Sequence, residues 1–139
     1  MGYLVVAAWV IQAAFGVSLL VSWARRARGR DAGLVLPHIL MMVGFLVPWS
    51  VFLATGAPVW AWLGFLILVS FIGFGDATMV RRSRAVTGVT TSGMGDYWPA
   101  VRVALSGRLG WRVIVHALMA PVVLLPCVAV CITATIAAG

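Results

Sequence analysis

The two histidines of this chain, His38 and His116, lie in matching sequence contexts within apolar stretches. Both follow the pattern H-x-L-M-x4-L-x-P, so that Pro48 and Pro126 each stand ten residues past a histidine. Leucine recurs by chance in apolar sequence, and the matching histidine, methionine and proline therefore carry the comparison. We interpret the two contexts as an internal repeat that places the histidines at equal depth on two helices.

Ionisable side chains are costly within a membrane and are functional candidates by default. The iron of a low-spin b-type haem takes two neutral imidazoles on opposite faces, which facing helices of a four-helix bundle can supply. The sequence therefore predicts that His38 and His116 are axial ligands of haem b, with Gly16 and Gly44 making room for the macrocycle. Five arginines near the histidines are the predicted partners of the haem propionates. They are Arg25, Arg26, Arg81, Arg82 and Arg112.

A copper site is the alternative metal centre. Met41 and Met119 stand three residues past the histidines, and two such His–Met pairs would offer Cu(I) both imidazole and thioether ligands. A third interpretation involves no cofactor. In that case the histidines hydrogen-bond to backbone or loop groups, and the methionines fill the membrane core.

Four apolar stretches are long enough to hold these side chains across a bilayer, whose hydrocarbon core needs about 20 residues of helix. They cover residues 3–23, 34–55, 59–79 and 111–137. Of the 139 residues, 63% are hydrophobic and 9% are charged, whereas a soluble domain carries about 25% charged residues. We expect an all-α integral membrane protein with four transmembrane helices. The repeat predicts two tandem helical hairpins, related by a pseudo-twofold axis along the membrane normal.

All ten basic residues are arginines, and they lie within or beside two of the connections. These connections are 24–33 and 80–110, whereas the turn at 56–58 and both ends of the chain hold no arginine. Under the positive-inside rule the two basic connections face the cytoplasm and both termini face outward. The first basic residue follows the first apolar stretch, so residues 1–23 are predicted to be a retained helix and not a signal peptide.

The composition also indicates a location and a partner class. An arginine-rich, lysine-free chain with abundant alanine, glycine and valine suggests a bacterial inner-membrane protein encoded by a GC-rich genome. The formal net charge of +7 would suggest nucleic acid as a partner of a soluble protein. Here the arginines are explained by membrane orientation, and nucleic acid is not an expected partner.

The connection at 80–110 contains a predicted amphipathic helix. Trp98, Val101, Leu105 and Leu109 recur at helical spacing between arginines. This spacing predicts a short helix lying on the cytoplasmic membrane surface, or else packed on a partner subunit. Residues 87–95 are rich in threonine, serine and glycine and are expected to be irregular.

Four further polar or reactive side chains fall within the spans. Asp76 is expected to pair with an arginine at the cytoplasmic end of the third helix, and Gln12 to hydrogen-bond between helices. Cys127 and Cys131 stand four residues apart, and a disulfide within a regular helix is geometrically unfavourable. Both cysteines are therefore expected to be packing residues.

The sequence holds no catalytic constellation and no nucleotide-binding motif, so an enzyme acting alone is not indicated. Two function classes lead. The first is a small haem-binding subunit that takes part in electron transfer within a larger membrane complex, and the second is an accessory subunit without a cofactor. A transporter or channel ranks below them, because the spans offer few polar residues for a hydrated path. Either leading class calls for other membrane subunits or a second copy of the chain as partner.

Overall fold

The computed structural model describes residues 1–89 and 93–139, and every regular element in those two ranges is helical. The helices are α1 (Gly2–Arg26), α2 (Ala32–Gly44), α3 (Leu46–Thr55), α4 (Pro58–Thr87), α5 (Tyr97–Leu105) and α6 (Trp111–Ala138), with a 3-10 turn at Met94–Asp96. Four segments of the described chain are long and apolar enough to cross a membrane: α1, α2 together with α3, α4 and α6. The prediction of four such helices is confirmed.

The long helices end and begin where the local sequence breaks helix geometry. Gly56 and Gly88 follow α3 and α4 directly and adopt positive φ angles of 70° and 74°. That conformation is strained for residues with a Cβ atom, whereas glycine reaches it at little cost. Pro58 opens α4, at a position where the missing amide hydrogen of proline would have no helical acceptor in any case.

The second span contains a local break between α2 and α3. Pro48 has no amide hydrogen and therefore cannot donate to the carbonyl of Gly44, four residues earlier. The lost hydrogen bond falls where α2 ends at Gly44 and α3 begins at Leu46, whereas α6 continues without a break past the equivalent Pro126. Phe45 between α2 and α3 keeps helical angles, with φ −51° and ψ −36°, so the chain continues in nearly the same direction.

The third span is longer than the sequence predicts. The helix α4 continues to Thr87, eight residues past the expected end at Met79. Residues 80–87 contain neither glycine nor proline, and arginine is a good helix former, so the helix persists until Gly88. Part of the segment predicted to be irregular, residues 90–92, lies outside the described residues.

The tightest core lies in the half of the bundle away from the arginines. Its buried side chains are Val5, Phe45, Trp49, Ala61, Leu68, Val123, Cys127, Val130 and Cys131. Gly64 lets α4 approach closely, because a Cβ atom there would stand 3.2 Å from Cε2 of Phe45. The two cysteines are buried free thiols, in keeping with a packing role.

The long helices pack in a definite set of pairs. The helix α6 packs against α1 and α4, and α4 also packs against α2 and α3. Two indole groups tie α1 to the second span, because Trp9 Nε1 donates to the carbonyl of Met42 at 3.0 Å and Trp49 Nε1 donates to the carbonyl of Gly2 at 3.2 Å. Both hydrogen bonds are partly buried, and each gives an indole N–H a main-chain acceptor within an apolar setting.

The short helix α5 packs on the body of the protein through small side chains. Ala100 and Ala104 are buried, whereas Trp98 and Leu105 are 69% and 54% exposed. Leu109, predicted to lie on the same apolar stripe of the amphipathic helix as Trp98 and Leu105, is instead buried and outside α5. The reason is that α5 ends at Leu105 and the chain then turns through Gly107, which has a positive φ.

An ion pair fixes the chain just before α5 to the end of α4. Arg84 donates to Oδ2 of Asp96 from Nε at 2.9 Å and from Nη2 at 2.5 Å. The main-chain N–H of Gly93 donates to the same oxygen at 3.2 Å. The hydrogen bonds from the Arg84 side chain, followed by that from Gly93, lower the pKa of the Asp96 carboxyl below its usual value. A carboxyl group with a lowered pKa stabilises the folded arrangement at neutral pH and loses that effect as the pH falls through its folded pKa.

We expect Asp96→Asn to loosen α5 at neutral pH, since the amide oxygen is a weaker acceptor for the guanidinium group. Amide hydrogen exchange in residues 97–105, corrected for intrinsic rates, should rise roughly twofold to fivefold, in line with a partly exposed ion pair. The difference between the variant and the unaltered protein should shrink in acid, where Asp96 itself is protonated. A difference that persists unchanged at low pH would contradict this account.

Candidate functional site

The two histidines meet between the helices. The imidazole of His38, on α2, and that of His116, on α6, have ring centroids 6.3 Å apart, and their planes cross at 80°. The two histidines therefore lie next to each other, as expected of residues at equal depth on facing helices. Both side chains are half-buried.

Each imidazole is held by a main-chain carbonyl of a neighbouring helix. Nδ1 of His38 lies 3.1 Å from the carbonyl oxygen of Phe71 in α4, and Nδ1 of His116 lies 3.3 Å from that of Gln12 in α1. A carbonyl oxygen can only accept a hydrogen bond, so Nδ1 carries the hydrogen in both rings. In the neutral form of each ring, Nε2 is then left with an unprotonated lone pair.

Each ring also lies against a glycine one turn beyond its carbonyl. A Cβ atom on Gly75 would stand 2.9 Å from Cε1 of His38, and one on Gly16 would stand 3.2 Å from Cε1 of His116. Gly75 follows Phe71 by four residues, as Gly16 follows Gln12. We call each pair of a carbonyl and a glycine four residues later a socket. A larger residue in place of the glycine would occupy the space of the imidazole.

The Nε2 atoms are open. Among the described residues neither Nε2 takes part in a hydrogen bond. In the same residues, every fully inaccessible side-chain nitrogen or oxygen atom has a hydrogen-bond partner. Neither Nε2 atom is therefore completely covered by the protein. An imidazole with Nδ1–H on a carbonyl and a free Nε2 has the arrangement that metal-binding histidines adopt.

The separation of the rings suits a metal between them. Bonds of about 2 Å from one metal ion to a nitrogen of each ring would hold two opposed imidazoles with their centres roughly 6 Å apart. The observed distance is 6.3 Å. Across residues 1–89 and 93–139, no group of three or more His, Cys, Asp or Glu side chains could hold a metal ion. A metal ion held by protein alone usually needs four ligands. A haem iron needs only two from the protein, because the macrocycle supplies the other four, and two imidazoles match that number.

The candidate copper ligands and the second candidate glycine lie elsewhere on these helices. Met41 and Met119 are half-buried on α2 and α6, three residues past the histidines, and copper binding by the His–Met pairs stays a prediction. Gly44 has no atom within 4 Å of its hypothetical Cβ. It leaves open space, whereas Gly16 receives an imidazole directly.

The five arginines predicted to meet the propionates separate in the structure. Three line one open cavity beside the ends of α1 and α6: Arg25, Arg26 and Arg112. Arg81 forms an ion pair with Asp31, with Nη1 and Oδ1 2.7 Å apart. Arg82 is exposed and follows Gly75 by seven residues, which places it on the same face of α4.

Two expectations about polar residues in the spans need correction. Asp76 was expected to pair with an arginine, but in the described residues it forms no ion pair, and Arg81 binds Asp31 instead. Gln12 does join two helices, but through its main-chain carbonyl to His116. In the sequence, both sockets are marked only by a glycine four residues after the residue whose carbonyl accepts the hydrogen bond. This spacing identifies a socket only when the helix that carries the histidine is known to pack there.

Comparison of the chain with family models, with curated proteins and with solved structures gave no match. Function is therefore inferred from the site itself.

Proposed function

We propose that this chain is a membrane protein that binds one b-type haem between His38 and His116 and takes part in electron transfer. One observation carries the proposal: both imidazoles place Nδ1–H on a main-chain carbonyl and keep Nε2 free, with ring centres 6.3 Å apart. A hydrogen bond at Nδ1 fixes the tautomer and orientation of a ligating histidine and raises its basicity. The two sockets would hold the imidazoles ready for ligation.

The ligand set also favours electron transfer over substrate chemistry. Two imidazoles on one haem iron leave no coordination position for a substrate, and the bound haem supplies a one-electron redox centre. Asp76, which follows Gly75 in α4, is the acidic side chain whose charge interacts with His38. The role of the protein is then to bind the haem, to orient the two imidazoles and to exclude water with the surrounding apolar side chains.

The sockets support an arrangement of two tandem hairpins. His38, in the first half of the chain, uses a socket on α4 in the second half, and His116, in the second half, uses one on α1 in the first. A pseudo-twofold axis along the membrane normal, passing between the two rings, would produce this reciprocal exchange. The repeated pattern around the histidines has the same explanation.

We further propose a bacterial inner membrane as the location, with the arginines in the cytoplasm and both termini outside. Both basic connections lie at the same end of the bundle, since Arg81 at the end of α4 bonds to Asp31 just before α2. Trp23 and Trp111 lie at that end too, where interfacial aromatic residues are common. The exposed Trp98 and Leu105 of α5 would then rest on the inner leaflet.

The haem carboxylates would lie toward the same end. Arg82 follows Gly75 by seven residues and Arg112 precedes His116 by four, so that both stand on helix faces that carry the site. With two histidines, the chain can hold one such centre, and an electron carrier needs a donor and an acceptor outside itself. We therefore propose other membrane subunits, or a second copy of the chain, as partners.

A visible spectrum tests the proposal directly. The protein is expressed with an adequate haem supply, purified in mild detergent and measured before and after addition of dithionite. We expect sharp reduced α and β bands, a Soret shift and about one haem per chain, as two strong axial ligands imply. A colourless preparation, or a spectrum of high-spin haem, would count against axial ligation by the two histidines.

A further inference from the structure

Three guanidinium groups converge on a cavity beside the arginine-rich ends of α1 and α6. The cavity has a volume of about 340 Å³ and is lined by Ser18, Val21, Ser22, Arg25, Arg26 and Arg112. Its walls therefore combine hydroxyl groups and cations, with one apolar side chain.

The positive charge of this cavity is not balanced by acidic side chains. The chain has three acidic residues. In the described ranges Asp31 pairs with Arg81 and Asp96 pairs with Arg84. The remaining one, Asp76, is not among the residues that line the cavity. Guanidinium groups gathered without a carboxylate create a site that an external anion would stabilise.

Two of the guanidinium groups are held in place. Nη2 of Arg26 donates to Oγ of Ser22, and its Nε donates to the Ser22 carbonyl at 3.5 Å. The guanidinium carbon of Arg112 lies 5.7 Å from the ring centroid of Trp111, within the range of a cation–π contact. Positioned arginines lose less side-chain freedom on binding an anion than free ones do.

The cavity lies on the side of α1 that faces away from the histidines. Successive residues of a helix turn by about 100°, which puts Ser18 and Arg25 nearly opposite Gly16, the residue that contacts His116. The same outward side of α1 carries exposed apolar residues along its length. These are Leu4, Val10, Ile11, Val17 and Val21. The cavity therefore stands at the end of an apolar face that would lie against lipid.

We propose that this cavity is a binding site for a phosphate group. Arginine binds phosphate oxygens through paired N–H···O hydrogen bonds. An anionic phospholipid and free phosphate share this chemistry, and the position at the end of the apolar face favours the lipid. Basic cavities between membrane helices on the cytoplasmic side are typical sites for anionic head groups. The inference rests on the proposed membrane location. Arg112 is shared with the proposed contacts to the haem carboxylates, so the test alters Arg25 and Arg26 and leaves Arg112 in place.

The test compares three ligands on the full-length protein in detergent, with binding measured by titration calorimetry at constant ionic strength. The ligands are the short-chain lipids dihexanoyl phosphatidylglycerol and dihexanoyl phosphatidylcholine, and inorganic phosphate. The variant Arg25→Gln with Arg26→Gln removes two cations from the cavity. The matched control, Arg102→Gln with Arg108→Gln, removes the same charge from the other basic connection, and neither residue lines the cavity. Circular dichroism shows that both variants keep their helices.

We expect saturable binding of phosphatidylglycerol that weakens at least about tenfold in the cavity variant and less than about twofold in the control. Binding of phosphatidylglycerol without binding of inorganic phosphate identifies the lipid as the source of the phosphate. Equal binding of both identifies free phosphate. Equal loss in the two double variants, equal affinity for phosphatidylcholine, or no binding at all overturns the proposal. Each result can be read whether or not the protein holds haem.

Discussion

Each of the single substitutions His38→Ala and His116→Ala is expected to abolish the low-spin haem spectrum completely, because both imidazoles would bind the same iron. Removing one ligand leaves a five-coordinate, high-spin centre or releases the haem. If each histidine instead held a separate haem, each single variant would lose about half of the signal. The reduced α band of the purified variants, divided by protein concentration, distinguishes these results.

The matched control for the His116 variant is Gln12→Ala. Gln12 contacts His116 through its main-chain carbonyl, which alanine retains, so this variant should keep the full spectrum. Far-UV circular dichroism should show equal helix content in all three proteins. A low-spin spectrum that survives either histidine substitution would rule out that residue as an axial ligand.

Replacing the glycine of a socket by alanine is expected to have the second largest effect on haem binding. In Gly75→Ala the new Cβ atom would stand 2.9 Å from Cε1 of His38, closer than non-bonded carbons approach. The imidazole must shift away from the Phe71 carbonyl, and loss of such an outer hydrogen bond typically lowers metal affinity about 10–100-fold. Gly16→Ala should have a smaller effect, because its contact with His116 is 3.2 Å.

The chain offers a close control for these glycine substitutions. Gly73 lies two residues before Gly75 on the same helix, and a Cβ atom there meets nothing within 4 Å. Gly73→Ala should therefore leave haem affinity unchanged and stabilise the helix slightly, as alanine does relative to glycine. Transfer of haem to an apo-globin scavenger measures the affinity. Equal haem loss from the Gly73 and Gly75 variants would contradict the claim that Gly75 makes room for the imidazole of His38.

The spans were predictable from the sequence because apolar length and arginine position are local properties. Four runs of the required length and a basic cluster after the first and third of them define the helices, whatever their packing. The pairing of His38 with His116 was predictable for a different reason: a repeated sequence context implies equivalent depth. The extension of α4 to Thr87 was missed, because no apolar pattern marks a helix that continues beyond the predicted span.

The sockets could not be predicted, because they depend on which helices touch. Gly16 and Gly75 look like many other glycines in apolar helices, and only the packing of α6 on α1 and of α2 on α4 brings an imidazole onto each. The partner of Arg81 could not be predicted for the same reason. Asp31 and Asp76 lie at similar distances from the end of a predicted span, so the sequence does not distinguish between them. Long-range packing decides both cases.

The exchange of sockets between the halves also sets an order of assembly. His38 and its socket on α4 are separated by 33 residues, whereas His116 and its socket on α1 are separated by 104. During synthesis the imidazole of His38 could therefore reach its carbonyl early. In the proposed membrane setting, Gly16 of α1 would stay uncovered until the last long helix, α6, is made. A ligand that needs both imidazoles can bind only after α6 has packed against α1. Its binding would therefore indicate that all four long helices are assembled.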